Sequence, residues 1–240
     1  MQLIVLAAGK GSRLPAKFKK KPKCLVELNS KPLLMHNSSF FQKFKSKIIV
    51  TGYKHSHLKK ISKKIGFINI INKKYSVTNM VYSLFLAKKK VKNDVVIVYG
   101  DVIFDNKVYK LLKYKKNVLP VNINWFDNWK KRMPMKKIFN DAENLKIKKG
   151  ILSEIGTKID KKRIPKYQFM GIIKLQKKSF IKCYYFFQSL KNKKIDMTSF
   201  LNLCIKNKII SFKTEKYRGY WYEIDTISDY NFAKKQVNKW

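Results

Sequence analysis

Apolar residues fall along this chain in short solid runs separated by helix-like stretches, a pattern that predicts strands alternating with helices. Residues 2–6 read as a buried strand that runs into a loop holding Gly9 and Gly11. Residues 32–44 read as a helix opening at a proline, with Leu33, Leu34, Phe40, Phe41 and Phe44 as its apolar positions. Residues 47–51 form a strand stopped at Gly52, 58–65 a short basic helix and 67–71 another strand. Asn79 caps a helix that runs through Leu86. The clearest central strand is 95–99, closed by Gly100-Asp101. Repeated units of this kind imply parallel strands with helices on both faces. Ligands of such sheets bind beyond the carboxyl ends of the strands, so the Gly9–Arg13 loop and Asp101 are expected on one rim.

The second half is mixed. Strands are expected at 117–123 and 169–175, with a short aromatic helix or loop at 125–132 and a hairpin of 145–148 with 151–155 around Lys149-Gly150. Helices follow near 180–190 and 198–206. Residues 209–213 and 220–224 then close the sheet, and Ser228 or Asp229 caps a terminal helix. No internal repeat and no long linker interrupts the pattern. The expected fold is α/β, a Rossmann-like mixed, mostly parallel sheet in one domain with a small inserted lobe.

Composition changes this picture in one respect. A chain of 240 residues with 45% hydrophobic and 14% aromatic content can bury a core, but 55 basic against 14 acidic residues leave it at +41. A dedicated nucleic-acid binder would concentrate that charge on one face and mix in arginine. Here arginine occurs only at 13, 132, 163 and 218, and lysine is spread through every segment. Drift of composition, with a gain in attraction for anions, is the preferred reading. Cys24, Cys183 and Cys204 have no metal-like spacing and are odd in number, which suits reduced thiols. No segment reaches a spanning length of about 20 apolar residues, and no leader pattern follows Met1. A cytoplasmic protein is expected, without membrane insertion and without a specific nucleic-acid partner.

Three elements can carry chemistry. Small residues in Leu6-Ala7-Ala8-Gly9-Lys10-Gly11-Ser12-Arg13-Leu14 let backbone approach a ligand, and successive amides can cradle phosphate. The same loop would also serve as a plain tight turn, and it lacks the third glycine of the dinucleotide pattern. Arg13 and Lys23 follow on the same rim as a pair of cations. Asp101 ends the strongest strand, where magnesium would find a carboxylate; a turn aspartate is the bland alternative. In Trp221-Tyr222-Glu223-Ile224-Asp225, strand alternation turns Glu223 and Asp225 to one face, although Asp225 could simply cap the next helix. His36, His55 and His57 read as structural or solvent-facing, and no triad is evident.

Taken together, LAAGKGSRL, PKCLVEL, VTGY, TNMVYSL, the strand ending in Asp101 and YEID…SDY resemble the sugar-phosphate nucleotidyltransferase superfamily, in its cytidylyltransferase branch. W…W..R, NDAENL, EIG.K, YQFMGIIKL and DMTSFL make it similar to enzymes handling phosphocholine, 2-aminoethylphosphonate or phosphoglutamine. The resemblance implies transfer of CMP from CTP to a small phosphorylated acceptor, with magnesium as cofactor and a homodimer allowed. Residues 1–115 would bind nucleotide, and 116–240 would bind the acceptor and return to the sheet. It implies that Ala7, Ala8 and Gly9 meet the nucleotide, that Gly11 and Arg13 meet the triphosphate, and that Lys23 bridges the reacting phosphates. Asn79 and Ser83 would line the base and ribose region near Gly52 and Tyr53, and Asp101 and Asp225 would hold magnesium. Trp125, Trp129, Tyr167, Asp196, Trp221 and Glu223 are acceptor candidates for a cationic head group, with the Met170-Gly171 backbone near its phosphate. Such aromatics equally serve as core or lid. Asn122 stands where relatives often carry an acid. The rival readings are a sugar-1-phosphate nucleotidyltransferase and, from another class, a basic nucleic-acid-binding protein without catalysis.

Overall fold

Val95, Val96, Ile97 and Val98 expose none of their surface, as expected of a strand covered on both faces. The sheet extends to either side of them. The computed structural model describes residues 1–159 and 164–237, which leaves Arg163 outside the described residues. In chain order the strands are β1 (Gln2–Ala7), β2 (Glu27–Leu28), β3 (Lys31–Pro32), β4 (Ser46–Thr51), β5 (Phe67–Ile71), β6 (Val95–Tyr99) and β7 (Val102–Phe104). They continue with β8 (Val118–Asn122), β9 (Glu143–Lys148), β10 (Ile151–Lys158), β11 (Gln168–Phe169), β12 (Ile172–Leu175), β13 (Lys213–Tyr217) and β14 (Trp221–Glu223).

Ten of these form one sheet in the order β5-β4-β1-β6-β12-β8-β13-β10-β9, with β11 added on β8. The first four run parallel. Beyond them β12 is antiparallel to β6 and β8, β13 is parallel to β8, and β9 with β10 makes an antiparallel hairpin. The result is the expected mixed α/β sheet flanked by helices. From β1 the chain moves outward to β4 and β5, then returns on the other side as β6. The order therefore reverses between β1 and β6, which opens a crevice at their carboxyl ends.

Two small ribbons, β2 with β3 and β7 with β14, lie outside the large sheet. A second apolar cluster joins them: Leu14, Val26, Leu28, Leu33, Ile103, Tyr222, Ile224 and Ala233. Leu14 follows Arg13, Val26 lies three residues after Lys23, and Ile224 precedes Asp225. Packing of these neighbours fixes three charged residues that are far apart in sequence.

Four expectations change. Residues 32–44 are not one helix: Leu33–Asn37 is a 3-10 turn and Ser38–Phe41 a short helix. The break lets the Asn37 side chain donate to the Val102 carbonyl (2.7 Å) and accept from the Phe104 amide (3.3 Å), pairing a free edge of β7. The strand expected at 169–175 is cut into β11 and β12 at Gly171, whose φ of +69° no extended strand accommodates. The strand expected at 209–213 begins only at Lys213, and 220–224 pairs with β7 rather than closing the large sheet. The terminal helix, Ile227–Val237, starts from a reciprocal cap: Asp229 accepts from the Thr226 amide (2.7 Å), and Thr226 Oγ1 accepts from the Asp229 amide (3.4 Å).

Candidate active site

The glycine loop leaves β1 at the crevice and is shaped by Gly11, which has φ +64°. A side chain there would be strained, and its Cβ would stand 3.0 Å from Cβ of Lys23. The Lys23 stem therefore packs directly on the loop. Pro22 starts the 3-10 turn Lys23–Leu25, which buries Cys24 and Leu25 and turns Lys23 back toward β1.

Lys23 is the centre of the site. Its ammonium donates to Asp101 at 2.6 Å and to Asp225, and its side chain is only 10% exposed. Burial alone lowers its pKa, but the charges of Asp101 and Asp225 overcome that and leave the group well above the ordinary lysine value. Arg13 reaches the other Asp225 oxygen at 2.7 Å from the solvent side. Burial raises the Asp225 carboxyl, yet Lys23 and Arg13 bring it below its ordinary value. Asp225 therefore spends its carboxylate on the two cations and does not cap the terminal helix.

Asp101, Glu223 and Asp225 each present a carboxylate oxygen, all within 4.8 Å of one another. Burial, with the charges of Asp225 and Asp101, pushes Glu223 up to about 8. Three hard oxygen donors at this spacing, with the Lys23 ammonium on two of them, fit magnesium. Among the described residues they are the one cluster of this kind. The sequence reading placed Asp101 and Asp225 there and put Glu223 with the acceptor; the structure puts all three together.

Two openings meet at this cluster. On the β1 side, Leu6, Ala8, Gly9, Tyr75, Thr78, Asn79, Met80, Ser83 and Asp101 line a cleft. It continues past Lys10, Gly11, Ser12 and Arg13 to Lys23 and Asp225. Asn79 caps its helix, accepting from the Met80 amide at 2.8 Å, and Ser83 Oγ accepts from Asn72 at 2.9 Å. Ala7 is buried in β1. Gly52 and Tyr53 are not among the lining residues: the Tyr53 amide donates to Ala8 (3.1 Å) and its hydroxyl to Lys19 (2.9 Å), bracing the loop from behind.

On the β12 side lies a cavity of about 270 Å³. Its wall includes Trp129, Asp196, Glu223 and Asp225 from the sequence reading, and also Arg132, Asp141, Glu143, Gln168, Thr198 and Asp229. Trp221 and Trp125 are absent from this wall. Trp221 is 3% exposed, donates to the Met170 carbonyl (3.0 Å) and stacks on Trp129, and Trp125 donates to Pro165. Tyr167 packs against the core under Lys216. Gly171 lines the cavity and also makes room for the Tyr99 ring, 2.8 Å from where its Cβ would be.

In the wall of this cavity is a pair that motif reading missed. Arg132 and Asp229 are ion-paired and almost wholly buried, 6% and 3% exposed. Burial draws the Arg132 guanidinium down to about 10 against the pull of Glu223, Asp225 and Asp141, so it stays charged at neutral pH. The same Asp229 accepts from the amide of Asp225 at 3.0 Å. Arginine in a chain that otherwise uses lysine was the available signal.

Residues 3–115 match the MobA-like NTP transferase domain family. Over 249 aligned residues the chain is 32% identical to a CTP:phosphoglutamine cytidylyltransferase of Campylobacter jejuni, covering 95% of this chain and 97% of that one. The chain belongs to the MobA-like nucleotidyltransferases. A bifunctional sugar-1-phosphate nucleotidylyltransferase/acetyltransferase of Sulfurisphaera tokodaii is 24% identical over 100% of this transferase and 55% of its own length. In fold, the transferase superposes on the inositol-1-phosphate CTP transferase from T. maritima with TM-score 0.79 at 20% identity, covering 99% and 96% of the two chains. Family membership supports nucleotidyl transfer to a phosphorylated acceptor. No helix among the described residues is long and apolar enough to cross a membrane.

Proposed function

We propose that the nucleotide occupies the cleft of residues 1–115 and the phosphorylated acceptor the cavity of residues 116–240, so that the two polyanions meet at Lys23. The observation that carries this reading is Lys23 held between Asp101 and Asp225 where the two openings join. A phosphate monoester, with a second pKa of about 6, is already an ionised nucleophile at neutral pH. Its oxygen attacks the α-phosphorus in line, the bond to the bridging oxygen breaks, and pyrophosphate leaves. No side-chain nucleophile is needed. Arg13 and Lys23 orient the triphosphate and offset its charge, while the loop amides of Ala8 to Gly11 hold phosphate oxygens. Magnesium, held by Asp101 and Asp225 with Glu223 as a third donor, supplies charge neutralisation at the reacting phosphates when bound. Cys24, Cys183 and Cys204 are free and buried, which suits a reducing cytoplasm.

Two readings of the substrates have support. Transfer of CMP from CTP to an amine-bearing acceptor is favoured by the cavity, where Asp141, Glu143 and Asp196 would meet a cation. Transfer to a sugar 1-phosphate is favoured by the range of relatives and structural neighbours, many of which carry sugar-nucleotide names. Pyrophosphate release measured with CTP, UTP, dTTP and ATP against phosphocholine, 2-aminoethylphosphonate, phosphoglutamine and glucose 1-phosphate decides between them. Acceptor-dependent release with CTP and an amine selects the first, and release with a sugar 1-phosphate selects the second. Failure of the protein to bind any nucleotide would remove both.

A further inference from the structure

The acceptor cavity contains a polar group that the described residues do not satisfy. Gln168 lies in its wall, is 5% exposed, and its Oε1 is buried without a hydrogen-bond partner among the described residues. The position leaves few substitutes. Gln168 stands directly opposite Asn122 across the β11–β8 pair, so the two side chains share one face of the sheet. Asn122 has partners of its own: its Oδ1 accepts from the Asn124 amide (2.9 Å), and its Nδ2 donates to the Gly219 carbonyl (3.3 Å). A buried carbonyl oxygen without a donor is costly, and each such group in a native protein calls for an explanation, a bound molecule in a cavity being one. The terminal amide torsion of glutamine is broad, so the carboxamide can turn its oxygen toward a bound molecule.

The aromatic surroundings narrow the chemistry of that molecule. A quaternary ammonium is recognised by open aromatic faces. Here Trp129 is 5% exposed, with Arg132 over its ring at 5.0 Å, Trp221 stacked at 6.3 Å and the edge of Trp125 at 5.1 Å. Tyr99 and Phe169, the other rings in the wall, pack on each other at 5.9 Å and are both buried. The rings are engaged by the protein, whereas a carboxamide oxygen and several carboxylates remain for a ligand.

We infer that Gln168 reads a hydrogen-bond donor on the acceptor, which therefore carries an N–H or O–H group in place of a quaternary ammonium. This rests on the assignment of the cavity to the acceptor. A primary amine and a sugar hydroxyl both supply the required donor; a trimethylammonium group supplies none.

The test is calorimetric binding of phosphoethanolamine, phosphocholine and glucose 1-phosphate to the full chain and to Gln168→Met and Gln168→Glu. Phosphoethanolamine and phosphocholine differ only in N–H against N–CH₃. The expected result is that phosphoethanolamine or glucose 1-phosphate binds at least tenfold more tightly than phosphocholine, the identity of the tighter one naming amine or hydroxyl. Gln168→Met removes that margin, while Gln168→Glu, which keeps an acceptor oxygen, preserves it. Gln168→Met melts no lower than wild type, because it deletes an unsatisfied group. Phosphocholine binding as tightly as the other two, a margin that survives Gln168→Met, or no binding by any of the three overturns the inference. Pyrophosphate release followed in parallel keeps the two claims apart. A Gln168-dependent margin without release with any nucleotide refutes the transfer reaction and leaves the role of Gln168 standing.

Discussion

Asp229→Ala is expected to be among the most damaging single changes in this chain, although motif reading assigned Asp229 no more than a helix cap. Its carboxylate does two things at once. It neutralises Arg132, and it accepts the amides of Asp225 (3.0 Å) and Thr226 (2.7 Å). Removing one partner of a buried pair costs about 3–5 kcal/mol. Two amides left without an acceptor add about 1 kcal/mol each at the low end of that penalty. These terms share one side chain and do not sum, so a loss of about 4 kcal/mol is the working figure. For a chain of this length 1 kcal/mol moves the melting temperature by about 2–4 °C. The variant should therefore melt about 8–16 °C below wild type. Arg132→Met tests the partition. Asp229 would then keep both amide donors, so the loss should be smaller than for Asp229→Ala. Thermal unfolding followed by circular dichroism on both variants gives the answer. A fall of less than about 2 °C for Asp229→Ala, or a larger fall for Arg132→Met, would refute the account of this pair.

Three further outcomes are expected. Asp101→Asn and Asp225→Asn should each lower kcat by about 10²-fold or more and raise the magnesium concentration for half-maximal rate; near wild-type turnover in both removes the metal assignment. Gly11→Ala places a Cβ at φ +64° and 3.0 Å from the Lys23 Cβ, which should cost about 1–2 kcal/mol of stability and reduce turnover through displacement of Lys23; an unchanged melting curve would contradict it. Glu143 accepts from Thr198 Oγ1 at 2.8 Å, and burial foremost, aided by the Asp196 charge, raises its carboxyl above the ordinary value. A raised acid is protonated in the folded state where the unfolded chain has already ionised, so stability falls as pH climbs from the ordinary glutamate pKa through the folded one. Glu143→Gln lacks that slope and should gain on wild type over this window in melting curves taken from pH 4 to 8; parallel curves would show that Glu143 is unperturbed.

What was legible in the sequence was what local chemistry dictates. The glycine loop after β1 and Asp101 at the end of β6 follow from strand ends and the position of the switch point, and both stand on the crevice as expected. Glu223 and Asp225 reach one cluster as expected, although β14 ends at Glu223 and Asp225 lies beyond the strand. Long-range packing was not legible. Nothing near Asn37 in sequence announces that its side chain pairs the edge of β7, and this is what breaks the helix expected at 32–44. Trp221 and Tyr167 carry the aromatic character of a cation site, but tertiary contacts bury the first and turn the second to the core. Gln168 is a strand residue like any other until pairing with β8 buries its carbonyl oxygen without a partner among the described residues.

The charge distribution ties these observations to the reaction. A chain at +41 has few acidic residues to place, 14 in all, yet Asp141, Glu143, Asp196, Glu223, Asp225 and Asp229 line one cavity and Asp101 stands at its mouth. Half of the acids thus surround a single site, while the lysines are dispersed over the rest of the molecule. The two populations act at different ranges. Dispersed lysines give a positive far field that draws a nucleoside triphosphate and a phosphorylated acceptor toward the protein, with a reach set by a screening length of about 8 Å at physiological salt. Inside the cavity the sign reverses, and a second anion can settle there only if it brings a metal ion, a cationic group or hydroxyl donors with it. The concentration of acids that attracts such a group would repel a nucleic-acid backbone from the same place. On the proposed reaction, the excess of lysine would favour the approach of two anions to a site whose interior admits them only in company.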